Sequence, residues 1–298
     1  MIGALHYAET HNALGVRPFL DTPMYVDDSH GPSWWSYFFT PDTMYFSPPP
    51  ANPPEVHLNS YFRRYGRLGG FGHLVYGPKG YLYPMTHALD RHQIARLIND
   101  HFQLQPSLQD QVDGFVDSSF DSRWVLGVHY RGLDTVQHYP YYKIEYDHFW
   151  DEMAFVLMEK NKVLPAPLGD GPKDDPSAYD YAIFVATDEL EFLQQTKEYF
   201  APIPVLSWDS PRKSASSTVP LHKADSIPNF EKGESVLIDA LLMSRTDYLI
   251  KGRSGVSEAS LAFNPDLPYS FFISRDEIYR DSLPSTGDPE RLEFLPKP

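Results

Sequence analysis

Residues Trp124–Thr135, WVLGVHYRGLDT, decide how this chain is read. Five mostly apolar residues, Trp124 to Val128, run straight into His129, Tyr130, Arg131, Gly132 and Asp134. A short apolar run bounded by turn residues predicts a buried strand. In open α/β sheets, ligands bind just beyond the carboxyl ends of such strands. Here that end carries an imidazole, a guanidinium and a carboxylate within six residues. The fork of a guanidinium suits bidentate gripping of a phosphate. A charged strand end that merely points into water has the same local sequence, so this stretch alone leaves both readings open.

Downstream of it, strand patterns alternate with helix patterns, which predicts a parallel sheet with helices on its faces. Strands are expected at 124–130, 181–186, 203–207, 247–250 and 269–273. Helices are expected at 143–161, 189–200, 235–245 and 256–263. Upstream, 1–15 reads as a helix stopped by Gly15, followed by a strand in VRPFLD. Residues 27–54 are rich in aromatics and proline. They suit either a packed surface loop or a wall on which sugar rings stack. A helical pattern over 87–120 is interrupted at Pro106. The connector 117–122 places a domain boundary near residue 120, giving an N-terminal domain over 1–120, a C-terminal domain over 121–275 and a tail over 276–298 expected to pack back on the first.

Composition bounds the function. A 298-residue chain that is 42% hydrophobic and 15% aromatic can bury two cores. A formal net charge of −15 speaks against broad nucleic-acid binding, which wants a basic surface. It leaves room for one local arginine site. With no cysteine, neither a disulfide framework nor a thiolate metal site can form, and a reducing compartment is the easier home. No charged-then-apolar leader and no membrane-length apolar run is present in the sequence, so a soluble, cytoplasmic protein is expected.

Three further stretches carry chemistry. FVATDELEF ends a strand with Thr187 and Asp188, which can cap the next helix or face a ligand. SVLIDALLMSRTD is apolar nearly all round yet holds Asp239 in its middle. A buried carboxylate needs a partner. A structural arginine could supply it, and so could a nucleotide base with paired N–H donors. In DYLIKGRSGVSEASLAF, Gly252, Arg253, Ser254 and Gly255 lead from a strand into a helix. Free N–H groups at such a start bind anions, although a plain cap by Ser254 or Ser257 reads the same way. The GxxxxGK[ST], GxGxxG, GxSxG and HExxH patterns are all absent from the sequence.

Together HYRGLDT, VATDE and GESVLIDALLMSRTDYLIKGRSGVSE, in that order, resemble the fucosyltransferase superfamily: the α-1,6-fucosyltransferases, the bacterial nodulation fucosyltransferases and the protein O-fucosyltransferases. GALHYAE and GPSWWSYFF look like its opening helix and aromatic loop. The resemblance implies a GT-B architecture, two Rossmann-like domains facing across a cleft. It implies an inverting, metal-independent and cofactor-free transfer from a nucleotide-diphosphate sugar, GDP-fucose or another donor such as UDP-xylose, to a glycan or glycoprotein hydroxyl. Carried over, Arg131 grips the β-phosphate with Gly132 beside it, and His129 and Asp239 meet the base. Ser254, Gly255 and Val256 lie along the diphosphate, and Asp188 sits on the donor side. The family's glutamate base has no match; His138 and Asp134 are its substitutes here, while Leu133 and Thr135 stand where relatives carry Thr and Lys. A non-catalytic carbohydrate-binding protein that keeps the fold is the rival class.

Overall fold

The computed structural model describes residues 15–16, 25–40, 44–45, 91–132, 144–162, 164, 179–217, 219–272 and 278–281. Its centre is one sheet of six strands: β1 (Trp124–Tyr130), β2 (Tyr181–Thr187), β3 (Val205–Leu206), β4 (Tyr248–Lys251), β5 (Tyr269–Phe272) and β6 (Ile278–Asp281). They lie in the spatial order β6-β5-β4-β1-β2-β3. The five strands from β5 to β3 are parallel, and β6 runs antiparallel to β5. Among the described residues six helices of nine residues or more accompany the sheet: α1 (Arg91–His101), α2 (Pro106–Phe115), α3 (Tyr146–Glu159), α4 (Leu190–Tyr199), α5 (Asn229–Met243) and α6 (Gly255–Phe263). Gly15–Val16 pairs with Met44–Tyr45, and Phe39–Thr40 with Gln103–Leu104, in two small antiparallel ladders.

Because side chains alternate along a strand, β1 feeds two cores. Leu126, Val128 and Tyr130 meet Phe149, Met153 and Leu157 of α3 and Phe192 of α4 on one face. Val125 on the other face joins Leu242 and Met243 of α5, Leu261 of α6, Val112 of α2 and Leu97 of α1. Both faces are covered, which is why β2 reads as an unbroken apolar run and all seven of its residues are buried. Gly127 is required by close packing: a Cβ there would stand 2.6 Å from the Thr246 hydroxyl.

Several expectations shift. The aromatic segment is a packed element, since Trp35, Phe38 and Phe39 are buried in the same core as α5 and the sheet. Residues 91–120 also contribute to that core through Leu97, Leu108, Val112 and Phe120. Pro106 opens α2 as expected, and the chain continues through a π-helical turn, Val116–Phe120. The strand expected at 203–207 shrinks to Val205–Leu206, because the Ile203 N–H still bonds the Phe200 carbonyl. Helix α5 starts six residues earlier than its apolar run suggests. Gly233 in its first turns gives room for the Phe38 ring, 3.0 Å from where a Cβ would sit. Part of the tail was expected on the N-terminal domain, but Ile278–Asp281 pairs with β5. The opening helix lies outside the described residues.

Candidate functional site

The order 3-2-1-4-5-6 is that of doubly wound nucleotide-binding sheets, where the strand order reverses between β1 and β4. The crevice beyond their carboxyl ends is the place such a sheet offers to a ligand. A cleft of about 120 Å³ lies there. It is well below the roughly 300–1,000 Å³ of pockets that enclose a drug-sized ligand, so a larger molecule would lie partly in the open. His129, Arg131, Asp188, Asp239, Ser254 and Val256 all line it. Gly132 and Gly255 adjoin these residues in the chain. Asp134 and His138, the two candidate bases, lie outside the described residues.

His129, one residue before the end of β1, stands opposite Lys251 of β4 and is 6% exposed. Burial, then the charges of Arg131 and Lys251, push its pKa down to about 3, so the ring is neutral near pH 7. Its Nδ1 is buried with no partner among the described residues. Lys251 itself is wholly buried and ion-paired with Glu258. Desolvation lowers its pKa, and the Glu258 carboxylate works against that shift. The lysine also lies 4.5 Å from the centre of the Phe271 ring.

Asp239 sits on the cleft side of α5 and is 8% exposed. Burial raises its pKa to about 7, opposed by the Arg212 charge and the Ser210 hydrogen bond. Ser210 Oγ donates to Asp239 Oδ2 at 3.1 Å. The expected structural arginine is nearby but turned to other work: Arg212 donates to the carbonyls of Ser210 at 2.9 Å and Trp208 at 2.7 Å. Asp239 Oδ1 is left buried and unpartnered among the described residues. An unmade bond at a buried carboxylate is costly, and such atoms in native structures call for an explanation.

The strand ends are tied together. Asp188 Oδ1 accepts the Gly132 N–H at 3.2 Å. Thr187 Oγ1 accepts the Glu189 N–H at 3.1 Å. Neither residue is the N-cap of α4, which is Glu189, whose side chain makes no capping bond; the capping reading of Asp188 gives way to a clamp on the β1 terminus. A Cβ at Gly132 would come 1.8 Å from Glu189 Oε2, so a larger residue there would require the Glu189 carboxylate to move. At β4, Ser254 is the N-cap of α6, and its Oγ accepts the Val256 N–H at 3.2 Å. Beside it Gly255 faces open space, with nothing within 4 Å of a Cβ position.

The cleft also holds residues that sequence reading passed over. Tyr25, Ser210, Lys232 and Ser235 line it. Burial raises the Tyr25 pKa, and the Arg131 charge opposes this. Lys232, Ser235 and Asp239 follow a three-then-four spacing along α5, one helix face; the signal was legible once α5 was known to begin at Asn229. Ser210 comes from a loop with no local pattern. Among the described residues no group of three or more His, Asp or Glu is placed to hold a metal ion. No described helix is long and apolar enough to cross a membrane.

No protein-family model matches the chain, and no curated protein matches it in sequence. Solved structures do match. The fucosyltransferase NodZ from Bradyrhizobium is similar over 94% of this chain and 91% of that one, with a TM-score of 0.48 and 16% identity. NodZ α-1,6-fucosyltransferase soaked with GDP-fucose matches over 65% of this chain and 53% of that one, with a TM-score of 0.41 and 19% identity. POFUT1 in complex with GDP matches over 61% and 50%, with a TM-score of 0.39 and 11% identity. In the first structures matched, the alignment spans about half of the other chain. At these identities and TM-scores each residue's role is left to the geometry of this cleft.

Proposed function

We propose that the protein is a glycosyltransferase that takes a sugar from a nucleotide-diphosphate donor, with GDP-fucose the leading donor, and delivers it to a glycan hydroxyl. One observation carries the reading: Asp239 Oδ1 and His129 Nδ1 are both buried and unpartnered among the described residues, in a cleft that Arg131 also lines. A carboxylate oxygen and a neutral imidazole lining one cleft suit the N–H edge of a base. A guanidinium at the strand end suits the phosphates.

In this reading the acceptor oxygen attacks the anomeric carbon as the bond to the β-phosphate oxygen breaks. A single displacement inverts the anomeric centre. The acceptor proton passes to a base, for which Asp134 and His138 are the proposed groups. Negative charge grows on the departing diphosphate, and pre-placed donors there supply the largest catalytic contribution. Arg131 and the α6 start at Ser254, Gly255 and Val256 are those donors, so no metal ion is needed. Asp188 keeps Arg131 in place by fixing the next residue, Gly132. The proposal includes the GT-B arrangement, with residues 1–120 on the acceptor side.

The test is a thermal-shift series with GDP, UDP and dTDP. Ligand that binds only the folded state stabilises it by mass action, about 2.7 kcal/mol at a hundredfold excess over Kd. A shift with GDP alone supports the reading, and a shift with UDP moves the donor to the UDP-xylose type. Silence toward all three, with binding to glycans, would replace the enzyme with a carbohydrate-binding protein.

A further inference from the structure

Lys232 stands out as a buried cation that the proposed mechanism leaves unused. It lies in the first turn of α5, where unpaired N–H groups already make the local potential positive. It is 6% exposed. Lysine is almost never this buried unless paired with an anion. Its ammonium donates to Asn229 Oδ1 at 3.0 Å, and no carboxylate among the described residues pairs with it. The same residue lines the cleft with Arg131 and Asp239.

The surroundings are built to keep it there. Asn229 Nδ2 donates to the Val26 carbonyl at 2.8 Å, anchoring the segment that carries Tyr25. Tyr25 reaches the α5 backbone, with its Cδ1 3.5 Å from a Gly233 Cβ position, while its phenol feels the Arg131 charge. Arg131, Tyr25 and Lys232 of α5 all line the same cleft. Asp239 lies seven residues further along α5, roughly 10 Å at the helical rise. That separation is on the scale of a nucleotide, with a base at one end and phosphates at the other.

We infer that Lys232 is a second phosphate-binding cation of this cleft, joining Arg131 on the donor's diphosphate, where it supplies the charge missing at Thr135. The inference rests on the nucleotide-sugar reading. A charge buried without its anion destabilises the empty protein and strengthens binding of the anionic ligand.

The experiment compares wild type, Lys232→Met and Lys232→Arg by calorimetry and thermal shift, using GDP, GMP and guanosine, with UDP, UMP and uridine in parallel. Lys232→Met is expected to bind the diphosphate about tenfold more weakly, as for one lost charge-assisted bond. It should bind the nucleoside as wild type does and show an unchanged or higher melting temperature when empty. Lys232→Arg is expected to recover part of the diphosphate affinity. Equal diphosphate affinity in wild type and Lys232→Met overturns the role of Lys232 alone. So does an equal loss for nucleoside and diphosphate, which marks a packing role. If wild type answers neither diphosphate, the nucleotide-sugar reading itself falls.

Discussion

Two buried polar clusters lie on opposite faces of the sheet, and they are built differently. Beneath α3, Glu152 Oε1 accepts from Ser270 Oγ at 2.6 Å and from Arg280 Nε at 2.8 Å, while its Oε2 accepts from Arg280. Tyr248 bonds Ser270 Oγ at 2.9 Å. Both carboxylate oxygens are used, and the network joins α3 to β4, β5 and β6. At the carboxyl edge, Asp239 uses one oxygen and His129 leaves a ring nitrogen unpaired among the described residues. A closed network serves the fold, because any ligand would have to break it. An open one is held ready by the fold for something that completes it.

The largest expected effect strikes the open cluster. Arg131→Ala should lower turnover about 10²–10³-fold, the cost of one lost donor at a developing anion, without a matching fall in melting temperature. Steady-state kinetics beside a melting curve checks this, and near-normal turnover would remove the residue from the mechanism. Next comes the closed cluster. Glu152→Ala leaves Ser270 and the part-buried Arg280 without their acceptor, and should cost about 2–3 kcal/mol of stability while leaving nucleotide affinity unchanged. Denaturant unfolding with parallel binding measurements separates the two clusters. A loss of affinity equal to that of an Asp239 variant would erase the distinction drawn between them.

The smallest effect is a pH dependence. Asp239 titrates near 7 in the folded chain against an ordinary 3.8. Between those values the folded state holds more protons than the unfolded one, so stability falls as pH rises through that window. His129 has the opposite sign: held near 3 against an ordinary 6.5, it costs stability as pH falls from 6.5 toward 3. The two slopes offset each other in wild type, so Asp239→Asn should leave that of His129 uncompensated, and the melting temperature should rise more steeply with pH between about 4 and 6.5 than in wild type. It should also weaken GDP binding about tenfold, and abolish the fall in affinity expected of wild type below pH 7. An unchanged pH profile in the variant would assign the titration elsewhere.

The sequence by itself determined the sheet and the strand ends. Short apolar runs bounded by turn residues leave little choice about where β1, β2, β4 and β5 lie. Turn residues and charges then place His129, Arg131, Asp188 and Ser254 at their carboxyl ends. Asp239 was visible because a carboxylate inside an all-round apolar helix is costly. Only the tertiary structure decided which groups are satisfied. Asp188 reads as a cap in sequence but bonds Gly132, and Arg212 reads as nothing yet sits behind Asp239 through Ser210. Lys232 was hidden because helix propensity is weak at Asn229–Glu234, where packing of Phe38 at Gly233 carries α5 past its apolar run. Hydrogen-bond partners come from segments far apart in the chain, such as Val26 and Asn229, and no local pattern encodes such a meeting. Periodicity fixes which face a residue takes, while the contacts made on that face belong to the folded chain.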